Sequence, residues 1–336
     1  MFDISVIIPI YNVADTIERC ARSLFMQTKR EVEYIFINDC TLDNSVEILQ
    51  SLLSSEFSEL NNQVRIINLE KNSGQGTARR IGQNSASGKY IAFCDSDDWV
   101  EKNCYEKMYE ATDCGITDIV VCNWFDEYKH KTVIHNEKEI SINPKEALRN
   151  SYKCYFKQYL WNKLIKKEIL DRYEIQMEKG INLWEDELYL DRVFLNAKSL
   201  SQVSAPLYHY NKANIKSTTR EVKDVHIPQL RYVVDILSVL YDNETGFEKT
   251  KDFLRFRCRI QLLRDNWSDY NLYLNTYPDS GRYISEYDLS GFSILGKIRI
   301  KLIKLCLLRL CILLNKLKAI TILLKWTNRS LNQLIL

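Results

Sequence analysis

The chain has 336 residues, 46% of them hydrophobic by type, which suits one large folded unit and one smaller one. Its formal charge of +2 hides a division: residues 1–288 carry 37 basic and 44 acidic side chains, a net of −7, while the stretch beyond Asp288 has nine Lys and Arg and no acid. A body of that sign is a poor binder of polyanions, which excludes nucleic acid as its expected partner, and the basic tail is the part suited to an anionic surface.

Ten cysteines are scattered without a CxxC pair, as in a cytosolic protein that keeps its thiols reduced. Met1-Phe2-Asp3-Ile4-Ser5 leads straight into an apolar run, with no charged and apolar leader, so no signal peptide is expected.

Ser5-Val6-Ile7-Ile8-Pro9-Ile10 is a β-branched run of the kind buried on both faces in parallel sheets. Tyr11-Asn12 follow at its carboxyl end, and Ile17, Ala21, Leu24 and Phe25 then show helical spacing. A second run, Glu33 to Ile37, stops at Asn38-Asp39-Cys40-Thr41-Leu42-Asp43-Asn44-Ser45 before a helix from Val46 to Leu53. The third, Val64 to Leu69, opens into Asn72-Ser73-Gly74-Gln75-Gly76-Thr77-Ala78-Arg79-Arg80, and the fourth, Tyr90 to Phe93, ends in Cys94-Asp95-Ser96-Asp97-Asp98-Trp99. Strand, polar loop and helix thus alternate four times, which predicts βα units, right-handed crossovers and a mostly parallel sheet.

Three carboxylates at a strand's carboxyl end stand where open α/β sheets bind ligands. Mg²⁺ and Mn²⁺ favour carboxylate and phosphate oxygens and share few protein acids with a bound phosphate, so Asp95 and Asp97 suit a metal–diphosphate. The same acids also suit a solvated turn capping a helix that starts near Trp99. The two glycines before Arg79 fit neither GxGxxG nor GxxxxGK[ST], which argues against a dinucleotide or P-loop enzyme.

Ser-Val-Ile-Ile-Pro-Ile-Tyr-Asn, Asn-Asp-Cys-Thr-Leu-Asp-Asn-Ser, Asn-x-Gly-x-Gly-x-Ala-Arg and Asp-Ser-Asp-Asp-Trp, in this order over about the first 125 residues, resemble the family-2 glycosyltransferases of bacterial surface-polysaccharide type. The resemblance implies a GT-A, Rossmann-like α/β fold, a nucleotide-sugar donor (UDP-linked), Mn²⁺ or Mg²⁺, and hexosyl transfer with inversion. It places Pro9 and Tyr11 beside the nucleobase, Asp39 on the uracil ring, Arg79 near the base or diphosphate, Asp95 near the ribose and Asp97 on the metal. That second loop usually reads Asp-Asp-Gly-Ser in the family, and Cys40 here replaces the glycine that eases its turn.

Asp118 to Trp124 reads as a further strand, Glu127 to Ile140 as an edge hairpin or loop, and Pro144 to Tyr159 as helical. The aromatics of Tyr155 to Trp161 suit either packing or acceptor contact, and Trp161-Asn162-Lys163-Leu164 resembles a segment close to the active site of related enzymes. Ile181-Asn182-Leu183-Trp184-Glu185-Asp186-Glu187-Leu188 carries the pair that the resemblance makes catalytic, with Asp186 as general base beside Glu185. An acidic first helical turn is the other reading. His209, in Tyr208-His209-Tyr210, is a second candidate metal ligand or a hydrogen-bonded side chain.

The expected organisation is a catalytic domain over 1–220, with a nucleotide-sugar half (1–125) and an acceptor half (126–220), a helical extension over 221–290 and a basic amphipathic tail over 291–336. Arg309, Lys316 and Lys318 interrupt the tail's apolar run short of a membrane span, and its cations suit helices lying on the inner face of the cell membrane. Packing on protein is the alternative. The expected activity is sugar transfer to a lipid-linked or growing surface glycan by a cytoplasmic, peripheral enzyme; a non-catalytic nucleotide-sugar sensor or scaffold would need Asp39 and Asp97 but no base.

Overall fold

The computed structural model describes residues 2–136, 141–153, 158–214, 227–262, 274–289 and 294–304. Residues 1–148 with 156–218 form one compact unit, and 149–155 with 219–336 form another.

The first unit is built on a sheet of order β3-β2-β1-β4-β8-β6-β9-β5, with β7 paired to β6. Strands β1 (Ile4–Ile10), β2 (Val32–Asn38), β3 (Val64–Asn68) and β4 (Tyr90–Phe93) pair in parallel. Helices α1 (Ile17–Phe25), α2 (Ser45–Glu56) and α3 (Gln75–Ser85) connect them. The four expected strands are therefore present, the first three each leading into a helix, and their polar loops share the carboxyl edge of the sheet. The apolar side chains of β1 and β2 meet Cys20, Ala21, Leu24 and Phe25 of α1 and Leu49 and Leu52 of α2 in one core.

Beyond β4 the order is less regular. Trp99 does not begin a helix: Trp99–Val100 is a two-residue strand, β5, held antiparallel to β9 (Leu200–Asn211), and the helix α4 starts at Cys104 and ends at Glu110. β6 (Ile119–Tyr128) runs past the expected Trp124 because it is paired along one edge by β9 and along the other by β8 (Lys163–Lys166) and then β7 (Lys131–His135). The expected hairpin is thus present; its residues 137–140 lie outside the described residues. The helix expected from Pro144 to Tyr159 stops at Arg149 as α5, where a turn closed by Lys153 N–H on Asn150 O follows. Helices α6 (Lys167–Arg172) and α7 (Glu185–Asn196) complete the unit. Because β6 and β9 run parallel to each other and antiparallel to β8, which itself opposes β4, their carboxyl ends lie on the same edge as the Asp95 loop.

The second unit contains α8 (Ile227–Asp242), α9 (Glu248–Leu262) and α10 (Ile294–Lys304), with Tyr152, Phe253, Phe256, Ile260, Tyr287 and Ile300 in one apolar cluster. Lys297 and Lys301 of α10 are exposed while Ile300 is buried. The tail expected beyond it, 305–336, lies outside the described residues, among which no helix is long and apolar enough to cross a membrane.

Candidate active site

The loop after β4 gives its three acids three environments. Asp98 is fully buried and accepts from the Tyr208 hydroxyl at 2.7 Å and from the Asn211 N–H at 2.7 Å, so it fastens the end of β9 to the loop. Burial, with the charges of Asp97 and Asp95, holds its carboxyl well above the usual range. Asp95 faces Arg79. Asp97 Oδ2 accepts from the neutral amide of Asn214 at 2.7 Å, and burial together with the Asp95 charge raises its proton affinity. The backbone here is held by α1 and its amino-terminal turn: Thr16 Oγ1 donates to Ser96 O at 3.1 Å and Arg19 Nη2 to Asp97 O at 3.3 Å.

That electrostatic state fits a cation at Asp97. A carboxylate that is costly to ionise where it sits gains most from a positive neighbour. Among the described residues no group of three or more His, Cys, Asp or Glu is placed to hold an ion by itself.

His209 is differently placed from its expected metal role. Its ring lies between Trp99 (centroids 4.9 Å) and Phe125 (4.5 Å), with Nδ1 2.8 Å from Glu127 Oε1 and Nε2 2.9 Å from Glu101 Oε1. Arg19 caps the far face of Trp99 at 3.6 Å. Both imidazole nitrogens are engaged, which leaves none for a metal, and the residue braces β5 against β9 and β6.

On the other side of the loop, Pro9 pairs with Ile37 near the end of β1 and Tyr11 is 41% exposed just beyond it. Asp39, buried at the end of β2, accepts from the Ser73 N–H at 2.7 Å and the Gly74 N–H at 2.9 Å. It therefore shapes the loop before α3, with one amide on each oxygen. Cys40 takes the left-handed backbone that glycine would take, at φ 56°, and the turn is tied by Thr41 N–H to Asn38 Oδ1 and Asn12 N–H to Thr41 Oγ1, each at 2.8 Å.

Two glycines bring α3 to α7. Gly74 sits at φ 83°, where a Cβ would lie 2.5 Å from Asn182 Oδ1, and a Cβ on Gly76 would lie 2.9 Å from the Ile181 carbonyl. Trp184, at φ 59°, then turns the chain so that α7 opens on Glu185. The result is one buried guanidinium serving both halves of the site. Arg79 Nη2 donates to Asp95 Oδ1 at 2.8 Å, and its Nη1 to Glu185 Oε1 and Asp186 Oδ1, each at 3.2 Å. Gln75 Nε2 adds a 2.7 Å bond to the same Glu185 oxygen. Glu185 is thereby pinned, with its side chain 6% exposed, whereas Asp186 is 28% and Asp95 29% exposed. Burial pushes the Asp186 carboxyl well above the usual range; Arg79 opposes that, and the charges of Glu185 and Asp95 reinforce it.

Gln75, Asn214, Arg19 and Tyr208 belong to the candidate site and are not singled out by the sequence; Gln75 and Tyr208 lie within noted stretches, and the other two carry no local signal. Lys163 is buried on β8, its Nζ held by Tyr159 O at 2.7 Å and Asn162 Oδ1 at 2.8 Å, and its charge favours ionised Asp186. Of the aromatics beside it, Trp161 is buried and packs, stacking on Tyr208 with centroids 4.3 Å apart, while Tyr155 and Phe156 lie outside the described residues.

EpsH of Bacillus subtilis is 31% identical over 62% of this chain, a match spanning 60% of EpsH, and an uncharacterized glycosyltransferase of the same organism, EpsJ, is 29% identical over 77% of this chain and 76% of its own length. The crystal structure of Staphylococcus aureus TarS 1–349 in complex with UDP-GlcNAc superposes with a TM-score of 0.63 at 19% identity, covering 81% of this chain and 76% of TarS, and it shares the fold. The sequence model described as glycosyl transferase family 2 matches residues 5–173, a little over half of the chain, and the protein belongs to that family of sugar-transferring enzymes.

Proposed function

We propose that the protein transfers a hexose with inversion from a UDP-linked donor to a lipid-linked or growing surface glycan. The observation that carries this reading is the Arg79 bridge, which brings the acid after β4 and the acids opening α7 to one place. In an inverting transfer the acceptor hydroxyl attacks the anomeric carbon from the face opposite the nucleotide. The hydroxyl proton passes to a carboxylate, the bond from that carbon to the phosphate oxygen breaks, and UDP leaves. Asp186 suits the base because it is the more accessible of the pair and its proton affinity is raised, while Glu185 is occupied in holding Gln75 and Arg79.

The donor would lie along the carboxyl edge, with Tyr11 and Pro9 against the nucleobase, Asp39 at the uracil ring and Asp95 at the ribose. An exposed aromatic ring supplies stacking, and a carboxylate oxygen keeps a lone pair for a ring N–H after taking one backbone amide. Asp97 would hold Mn²⁺ or Mg²⁺, which when bound supplies positive charge to the leaving diphosphate. The UDP-GlcNAc named with TarS makes UDP-N-acetylhexosamines the first donors to try. An acceptor anchored in lipid would be met at the cytoplasmic membrane face, where the cations beyond Asp288 are suited to anionic headgroups.

The test is Asp186→Asn. UDP binding in the presence of Mn²⁺ is expected to persist and transfer to fall to a small residual rate; transfer at the wild-type rate would remove Asp186 from the chemistry, and lost binding would give it a structural role.

A further inference from the structure

Arg79 is a donor contact by resemblance, but the hydrogen bonds of its guanidinium among the described residues go to carboxylates of this chain. The side chain is 3% exposed and its Nε–H is buried without a partner, so the group lies behind Asp95 and Asp186, both of which are nearly a third exposed. A diphosphate approaching that edge meets the carboxylates first. We infer that Arg79 is the positioning residue of the base, fixing Asp186 relative to the donor-side strand through one guanidinium shared with Asp95 and Glu185, so that its loss acts far more on turnover than on donor affinity. This rests on Asp186 being the base, as proposed above.

The chemistry of the group fits the task. A guanidinium is planar and always charged, with donors fixed in a fork, and here the fork joins Asp95 at a strand end to Glu185 at a helix start that lies 106 residues beyond Arg79 in sequence. An ammonium is a point charge that cannot hold three carboxylates at once in that geometry. The groups whose charge bears on Asp186 are Arg79 on α3, Glu185 on its own helix, Asp95 after β4 and Lys163 on β8. Without Arg79, Lys163 is the remaining cation among these, held by its own bonds to Tyr159 O and Asn162 Oδ1. The Asp186 carboxylate would then be free to turn from the aim that an in-line proton transfer requires, and easier to protonate.

The experiment compares the full-length wild type with Arg79→Lys, Arg79→Gln, Asp186→Asn and the double variant Arg79→Gln/Asp186→Asn. Calorimetry gives UDP affinity in Mn²⁺, and the rate of UDP release is followed against pH with the UDP-sugar that a donor panel shows to be turned over. Both Arg79 variants are expected to keep UDP affinity within about threefold while kcat falls about 100-fold, the scale of a misplaced reacting group. The acid limb of the pH profile is expected to move upward in Arg79→Gln and less in Arg79→Lys. Added to Asp186→Asn, Arg79→Gln is expected to cost less than about threefold more, because both changes act through one group. A UDP affinity that falls in step with kcat, or additive losses in the double variant, overturns the inference while leaving the base in place. Full turnover by Asp186→Asn, or no turnover of any UDP-sugar by the wild type, overturns the reading beneath it and the inference too. Where Arg79→Gln fails to fold, as its thermal transition will reveal, the split between kcat and affinity in Arg79→Lys decides.

Discussion

The Tyr208 hydroxyl donates to Asp98 Oδ2 at 2.7 Å while accepting from the Asp95 N–H at 3.1 Å, so one phenol on β9 ties together the first and last acids of the loop after β4. Tyr208 and Asp98 are both buried. Tyr208→Phe keeps the ring that stacks on Trp161 and removes only the hydroxyl, leaving Asp98 with one fewer donor. Leaving a buried acceptor unmet costs about 1–3 kcal/mol. A lower thermal transition together with slower UDP release is the expected result, and an unchanged transition would mean that Asp98 is held by Asn211 alone.

Gly76 tests how α3 is seated. A methyl group at this position would meet the backbone carbonyl of Ile181, which has little freedom to yield, and not a movable side-chain tip as at Gly74. Gly76→Ala should therefore push the start of α3 away from the segment before α7 and pull Arg79 from Asp186. The expected outcome is loss of transfer on the order of 100-fold, as for other small displacements of reacting groups, with UDP binding in calorimetry retained. Wild-type turnover in this variant would show that the two helices adjust independently.

Cys40 occupies left-handed backbone at φ 56°, a conformation that costs an L-residue about 1–2 kcal/mol. Glycine removes that cost but loses about 0.5–1 kcal/mol of chain entropy on folding. Cys40→Gly should therefore raise stability by about 0.5–1 kcal/mol, a shift of roughly 2 °C for a unit of this size. Cys40→Val, β-branched at the same backbone angle, should lower it. Thermal unfolding of both variants measures the difference, and the same sign in both would show that the turn is not set by φ.

The contrast at Cys40 illustrates what the sequence carried. The first four strands were legible because β-branched apolar runs ended in polar loops, a pattern that burial on both faces imposes locally. The loop at Asn38–Ser45 raised a doubt because its glycine was missing, and the fold answers by straining Cys40 and tying Thr41 to Asn38 and Asn12. Trp99 misled because a two-residue strand has no periodicity of its own; β9, more than a hundred residues later, makes it one. The same distance hid the role of His209, whose neighbours Trp99, Glu101, Phe125 and Glu127 come from two separate segments. Arg79 was visible as a candidate cation near the site, but only the approach of α3 to α7, allowed by Gly74 and Gly76, revealed which acids it binds.

A cation at Asp97 should be measurable without any turnover. Ligands that bind only the folded chain stabilise it by RT ln(1 + [L]/Kd), about 2.7 kcal/mol at a hundredfold excess over Kd. Mn²⁺ with UDP is expected to raise the thermal transition of the wild type well above that with UDP alone. In Asp97→Asn that increment should largely vanish, and without metal the variant should be at least as stable, because it removes a carboxylate that burial and Asp95 make costly to ionise. An equal Mn²⁺ increment in both proteins would move the ion elsewhere.

The pH dependence of rate and stability should run in opposite directions through Asp186. Burial raises its proton affinity well above the ordinary value near 3.8, with Arg79 opposing and Glu185 and Asp95 adding to the rise. A general base works ionised, so turnover is expected to fall as pH drops through this raised value, placing the acid limb above that of a free aspartate. For stability the sign reverses. Between the unfolded and the native value the folded chain holds the extra proton, so folding weakens as pH rises across that window and the penalty is complete above the native value. Asparagine cannot ionise, so Asp186→Asn should flatten this part of the stability curve and match or exceed the wild type at about pH 8, while keeping only a residual transfer rate at every pH. Thermal unfolding and UDP release measured side by side between about pH 5 and pH 8 test both halves. A variant less stable than the wild type at the alkaline end would show that the Arg79 bond to Asp186 outweighs the burial of its charge.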